Sequence, residues 1–269
     1  MGLVPRDIVS KVSGSIEFDN TSIIDLPEHE MRKIRGKRVS IVFQEPMTAM
    51  NPLMTLYEQI AEVIRAHEPN LTEKDVACKV NGTLINCGFA EPGKFVDSFP
   101  HQLSGGMRQR AMLAMALVLE PDLIIADEPT TALDAGLQVQ LLAELRDLVK
   151  KKNHGMIFIS HDLGVIQSIA DSIAILYAGQ VMEIGNSETT LKRPLHPYTH
   201  ALVESMPRLI REKKLPHPIP GHLPSPDRKP AGCVFSDRCP RAKAECRASR
   251  IPLTKREDGR SVRCLFPMN

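Results

Sequence analysis

Apolar residues recur at helical spacing from Leu56 to His67 and again between Thr72 and Cys87, and they ring almost the whole segment from Gly105 to Leu119. Residues three and four apart share one face of a helix, so the stretch from about 45 to 120 predicts a block of helices. Thr72-Glu-Lys-Asp supplies a start signal for the second of them, a capping hydroxyl followed by acidic residues. On either side of this block the pattern changes to that of strands. Val39-Ser-Ile-Val-Phe reads as a strand, and the four apolar residues that end at Asp127-Glu128 read as a buried parallel one. Leu137 to Lys152 is an amphipathic helix whose terminal lysines complement its dipole, and Met156-Ile-Phe-Ile-Ser is the next strand. Nearer the start, Ser15-Ile-Glu-Phe-Asp alternates as a short strand. Leu26 to Ile34 opens on Pro27 and acidic residues, as a short helix does. Ile173 to Tyr177 and Gln180 to Ile184, joined at Ala178-Gly179, predict a hairpin. Strands alternating with helices imply an α/β fold with a parallel sheet, the helical block inserted between two of its strands and the hairpin adding an antiparallel portion.

This pattern stops near Pro207. Six prolines between Pro216 and Pro230 predict an extended, semi-rigid linker over 207–232. Beyond it, Cys233, Cys239, Cys246 and Cys264 crowd the last 37 residues, a Cys-rich module over 233–269. The α/β domain occupies 1–206. A chain of 269 residues buries one sizeable core plus a small appendage of this kind. The formal charge of +2 is too small to argue for a nucleic-acid partner. The longest apolar run, nine residues from Ala111 to Leu119, falls short of the roughly 20 that a membrane span needs. No secretory signal precedes the first charges, and Asp7 follows Leu3-Val-Pro-Arg where a cleavable expression tag carries Gly-Ser. A soluble, cytoplasmic protein is expected, with any membrane contact made through a partner.

Five places carry candidate chemistry. Ser104-Gly105-Gly106 is a polar glycine turn that opens a helix, where unpaired backbone N–H groups and the positive dipole end meet an anion. Its plain reading is a capped helix start. Asp127-Glu128 sits at the C-terminal tip of a strand, where a carboxylate pair suits magnesium binding and activation of a water; its plain reading is a polar turn. His161 at the tip of the following strand reads, taken alone, as a capping or core histidine, and Gln44 after the Val39 strand as a surface glutamine. Cys233-x5-Cys239-x6-Cys246-x17-Cys264 lacks the tight Cys-x2-Cys knuckles of common zinc sites. In a reducing compartment such a cluster reads as metal ligation before disulfides, and four thiolates serve zinc or a four-iron cluster. Free thiols remain the plain reading, and Cys78 and Cys87 read as packing residues.

Leu103-Ser-Gly-Gly-Met-Arg-Gln-Arg followed one helix later by Leu-Ile-Ile-Ala-Asp127-Glu128-Pro-Thr-Thr-Ala-Leu-Asp134 resembles the signature and Walker B strand of ABC-type ATPases. The resemblance implies a P-loop NTPase fold of the ABC type, with ATP and Mg2+ as ligands. Ser104, Gly105 and Gly106, with Gln109 a further candidate, would bind the γ-phosphate of ATP held by the other subunit of a dimer. Asp127 would position magnesium, Glu128 polarise the attacking water, His161 act as the switch histidine and Gln44 as the Q-loop glutamine, with Asp134 in a loop at the dimer interface. Gln44-Glu-Pro-Met-Thr-Ala-Met-Asn-Pro, His196-Pro-Tyr-Thr, Ile219-Pro-Gly and the terminal cysteines narrow the resemblance to ATP-binding subunits of dipeptide and oligopeptide importers, with nickel importers sharing some of it. That group implies two membrane permease subunits, a second ABC ATPase, indirectly a peptide-binding protein, and a place at the cytoplasmic face of the inner membrane. Its cysteine pattern is associated with an iron-sulfur cluster, which favours 4Fe-4S over zinc at Cys233, Cys239, Cys246 and Cys264.

A Gly-x4-Gly-Lys-Ser/Thr phosphate loop occurs nowhere in the 269 residues; Gly14 and Gly36-Lys37 do not complete it. The resemblance therefore implies an ABC fold lacking its N-terminal strands and phosphate loop, through truncation, a mis-called start or a pseudogene. Such a chain is expected not to hydrolyse ATP alone, its signature completing only a partner's site, and to leave strand edges open. A non-catalytic or regulatory half is one alternative. A soluble ABC ATPase of DNA repair or translation is the other, though the long coiled coil or second ATPase unit usual there is missing.

Overall fold

The computed structural model describes residues 1–4, 6–130, 134–152, 154–206, 218–225 and 227–268. They form two compact units, 1–159 and 160–269. Residues 131–133 of the loop before Asp134, and 207–217 of the proline-rich stretch, fall outside the described residues.

In the first unit a hairpin, β1 (Glu17–Phe18) and β2 (Thr21–Ser22), precedes α1 (Glu28–Ile34) and β3 (Val39–Val42). The helical block follows as α2 (Pro46–Ala49), α3 (Leu56–His67), α4 (Glu73–Asn86) and α5 (Gly105–Leu117). Then come β4 (Leu123–Asp127), α6 (Ala135–Lys152) and β5 (Gly155–Ile159). Helices α3 and α4 start where Thr55 and Thr72 close capping boxes with Glu58 and Asp75, each hydroxyl accepting a backbone N–H while the carboxylate returns the bond. Leu56, Ile60 and Ile64 of α3, Val76, Val80 and Leu84 of α4, and Ala111, Leu113 and Ala114 of α5 are buried. Each such leucine or isoleucine contributes about 1.5–3 kcal/mol of burial.

Strands β3, β4 and β5 form a parallel sheet in that order, with Val42 beside Ala126 and Asp127 beside Ile159. One face, with Ser40, Val42, Ile124 and Ala126, is buried, and α5 packs on β3. This register brings the C-terminal tips of the three strands to one line. Among the described residues β5 pairs only with β4, so its other edge is open.

The second unit contains α7 (Leu163–Ile169), β6 (Ser172–Tyr177), β7 (Gln180–Asn186), α8 (Ser187–Lys192), α9 (Pro197–Glu204), α10 (Glu245–Ala248), β8 (Thr254–Lys255) and β9 (Ser261–Val262). Ala178 and Gly179, at φ 47° and 77°, make the turn between β6 and β7; two left-handed residues match the twist of a tight hairpin. The sheet runs β6-β7-β9-β8, every pair antiparallel. Composition separates 160–206 from 233–269, yet here both belong to one body. Strand β9 pairs with β7, and Val234, Phe235, Cys246 and Ile251 share a core with Tyr177 and Met182. Gly232 permits the close approach that joins them: Cys233 N–H donates to the Cys246 carbonyl at 2.7 Å, and a Cβ at 232 would lie 2.2 Å from that oxygen.

Glu183 of β7 is fully buried and satisfied. It accepts the backbone N–H groups of Leu195 and His196, both at 2.9 Å, with the Arg260 guanidinium 3.6 Å away. Arg260 also bonds Asp258 and the Arg193 carbonyl, so β7, the α8–α9 connection and the strand-bearing C-terminal segment meet at one buried charge pair.

Candidate functional site

Gln44 stands two residues past β3 and Glu128 one residue past β4, so the parallel register alone carries these two residues, 84 apart in sequence, to neighbouring strand tips. Gln44 Nε2 donates to Glu128 Oε2 at 3.2 Å. Glu128 adopts a left-handed backbone, φ 46°, and its N–H donates to the Ile159 carbonyl at 3.0 Å, fixing the turn to the end of β5. A non-glycine residue in this region is a local strain that the surrounding structure must hold. Asp127 is the last residue of β4; it and Glu128 are half-buried while Gln44 is exposed. The arrangement presents two carboxylates and an amide at the C-terminal edge of a parallel sheet, where α/β folds bind ligands.

The glycine turn lies at the start of α5. Ser104 is the N-cap, its Oγ accepting the Met107 N–H at 3.3 Å. Ser104 and Gly105 are exposed, Gly106 is half-buried, and a Cβ on Gly105 would meet nothing within 4 Å. The turn is therefore an open surface carrying the first N–H groups of a helix, which have no carbonyl partner within it. Side chains that follow it in sequence face elsewhere. Arg108 Nε donates to the Pro100 carbonyl at 2.7 Å, Arg110 bonds the Gly88 carbonyl and Glu144 at 3.0 Å each, and Gln109 is 2 % exposed with Nε2 unpartnered. Gln109 as described is thus a core residue, not part of the open turn.

Asp134 is exposed and accepts the Gly136 N–H at 3.0 Å as α6 begins. His161 belongs to the second unit, exposed in the turn before Asp162, which caps α7 by accepting from Gly164 and Val165 at 2.8 and 3.3 Å.

The second unit holds a separate cavity. Cys233, Cys239, Cys246 and Cys264 all line it, together with His196 and Ser236. Burial raises the thiol pKa of Cys233 and Cys239 and pushes Cys264 up to about 11, with the neighbouring cysteines adding to each shift. These shifts favour the protonated thiol at Cys233, Cys239 and Cys264. Among the described residues no group of three or more His, Cys, Asp or Glu side chains is already set to hold a metal ion. The four cysteines share one cavity without forming a ligand set. Of the other two cysteines, Cys87 is buried, with its pKa raised to about 12, and Cys78 is exposed on α4.

Sequence reasoning passed over Glu183, Arg260 and Ser236. A glutamate within the apolar run Val181-Met-Glu-Ile was a signal that β7 buries a charge in need of partners.

A parallel sheet with a carboxylate pair at its tip and a glycine turn opening the helix of an inserted block is the arrangement expected of an ATP-binding cassette, and similarity to known proteins places the chain in that class. The ABC transporter family model matches residues 6–131, and that of the oligopeptide/dipeptide transporter C-terminal region matches 182–246. The chain is 42 % identical over 266 residues to the oligopeptide transport ATP-binding protein AppD of Bacillus subtilis, covering 99 % of this chain and 81 % of that one. It is 40 % identical over 268 residues to the oligopeptide transport ATP-binding protein OppD of Escherichia coli, covering 100 % and 78 %. Among solved structures it resembles the ATP-binding cassette MJ0796, determined as a dimer bound to ADP and Pi, with TM-score 0.59 and 27 % identity over 65 % of this chain and 74 % of that one. The chain belongs to the family of oligopeptide and dipeptide transport ATP-binding proteins of ABC transporters.

Proposed function

We propose that this chain is the ATP-binding subunit of an importer of short peptides and works against a second ATPase subunit. The observation that carries this is the Gln44–Glu128 contact at 3.2 Å, which joins the residue resembling the Q-loop glutamine to the one resembling the catalytic glutamate. Mg2+ held with ATP would neutralise phosphate charge during hydrolysis. Asp127 is the residue to hold it, Glu128 orients the attacking water, and Gln44 restrains the Glu128 carboxylate. His161 is assigned to the γ-phosphate, and Asp134 to the interface with the second ATPase. The exposed Ser104-Gly105-Gly106 turn supplies N–H donors to the phosphate of the nucleotide held opposite.

Two permease subunits, contacted through the Gln44 loop and the helical block, complete the transporter, and a peptide-binding protein delivers its cargo. No helix among the described residues is long and apolar enough to cross a membrane, which accords with a peripheral place at the inner face. Nucleic acid is not a proposed partner. The four clustered cysteines hold a four-iron cluster, with zinc as the alternative; iron and acid-labile sulfide bound per chain test this.

Co-expression with a partner ATPase and the permeases tests the roles of Ser104 and Glu128. Ser104→Arg and Glu128→Gln are each expected to lower peptide-stimulated ATP hydrolysis at least about tenfold. Hydrolysis that stays within about twofold of the parent in either variant overturns the role assigned to that residue.

A further inference from the structure

One side chain joins the two ends of the segment that leads from Glu128 into α6. Pro129 and Thr130 are buried, Thr130 at 5 % exposure, while Asp134 is exposed just ahead of the helix. Gln138, half-buried in the first turn of α6, bonds at both places. Its backbone N–H donates to the Asp134 carbonyl at 2.9 Å, and its Nε2 donates to Thr130 Oγ1 at 3.3 Å. The first of these is the ordinary opening bond of a helix. The second is not required by the helix, and it reaches back eight positions to the chain that leaves the strand tip.

Little slack separates that anchor from the Glu128 carboxylate. The Glu128 N–H is held on the Ile159 carbonyl, and Pro129, the one residue between Glu128 and Thr130, has its φ fixed by the ring at about −65°. At the other end Asp134 is tied to the same helix turn, its Oδ1 accepting the Gly136 N–H at 3.0 Å. A displacement of Asp134 therefore moves the first turn of α6 and carries Gln138 with it. The amide then passes the displacement to Thr130. Without it, only the backbone of 130–134 links the two ends, and rotation about its φ and ψ angles absorbs the movement.

We propose that Gln138 is a positioning residue for Glu128: its amide couples the placement of Asp134 against the second ATPase to the placement of the carboxylate that orients the attacking water. The inference rests on the roles proposed above for Glu128 and Asp134, and adds to them the group that links one to the other. Gln138 itself touches neither nucleotide nor water in this role. It acts through Thr130.

The test is turnover against MgATP concentration, per assembled complex, in the chain co-expressed with a partner ATPase and the permeases. Gln138→Leu and Thr130→Val each remove the bond at nearly the same side-chain volume, Thr130→Ser keeps the hydroxyl, and Glu128→Gln is the reference. Gln138→Leu and Thr130→Val are each expected to lower kcat about tenfold with KM for ATP within about twofold of the parent, and Thr130→Ser to match the parent. The double variant should lose no more than either single one, because both remove the same bond. An amide that served only to satisfy a buried hydroxyl would shift the urea midpoint of the complex and leave kcat unchanged; that result overturns the inference, as does a double variant whose loss is the product of the two single losses. If Glu128→Gln falls while Gln138→Leu and Thr130→Val do not, this inference alone fails. If Glu128→Gln also turns over like the parent, the role of Glu128 fails and this one with it. Should Gln138→Leu not assemble, Thr130→Val against Thr130→Ser decides by itself.

Discussion

Glu128 and His196 are both held at a cost that the surrounding structure must offset. The left-handed backbone at Glu128 costs about 1–3 kcal/mol, and the bonds from its N–H to Ile159 and from Gln44 to its carboxylate hold it against that cost. His196 is buried as a neutral ring, with its pKa lowered from 6.5 to about 4 by burial. The unfolded imidazole takes up a proton near pH 6.5 while the native one waits until about pH 4, so in that interval the unfolded state binds more protons. Stability from this residue is whole above about pH 6.5 and is lost progressively as pH falls toward 4, by about 3 kcal/mol in total. Urea unfolding at about pH 7 and about pH 4 should show the parent losing more stability than His196→Asn, which has no ring to protonate. An equal loss in both proteins would remove this account of the buried histidine.

At the scale of elements, the helices were legible because each signal was local. Thr55 and Thr72 stand where their capping boxes require, and α3 spans Leu56–His67 as its periodicity predicts. The approach of Gln44 to Glu128 was legible only in part. Each residue could be assigned to the end of a strand, but their contact depends on β3 lying beside β4, a pairing across 84 residues that periodicity does not encode. Strand β5 carries a further consequence of sheet order. Ile41, Ile125 and Ile157 stand side by side across the sheet on the face opposite Val42 and Ala126, and at the open edge Ile157 and Ile159 are 49 % and 45 % exposed. An unpaired edge with exposed isoleucines is a template for pairing with another chain. Ile157→Lys should slow heat-induced aggregation, followed by light scattering, while changing stability by no more than about 0.5 kcal/mol. Unchanged aggregation would mean that association proceeds through some other surface.

On the scale of the whole chain, sequence and structure divide the molecule differently, and the difference concerns the cysteine segment. Prolines and clustered cysteines suggest an appendage behind a linker, because composition records a change of residue type but not long-range pairing. In the structure, β9 extends the β6–β7 sheet, Phe235 lies 1 % exposed between Tyr177 and Tyr198 at ring distances of 5.2 Å each, and Arg260 faces buried Glu183. Removing 218–268 would uncover Tyr177 and Met182 and strand the Glu183 carboxylate without its cation, and breaking a buried pair from one side costs about 3–5 kcal/mol. Phe235→Ala tests the same coupling with one residue, at an expected cost of about 3–5 kcal/mol. If 160–206 and 218–268 fold as one body, both changes should raise hydrogen exchange at the β6–β7 amides of Ile173 to Glu183 and leave exchange in α3 and α4 of the first unit unaltered. Exchange at β6 and β7 that stays at the parent rate after the deletion would instead make the cysteine segment the separate module that composition suggests.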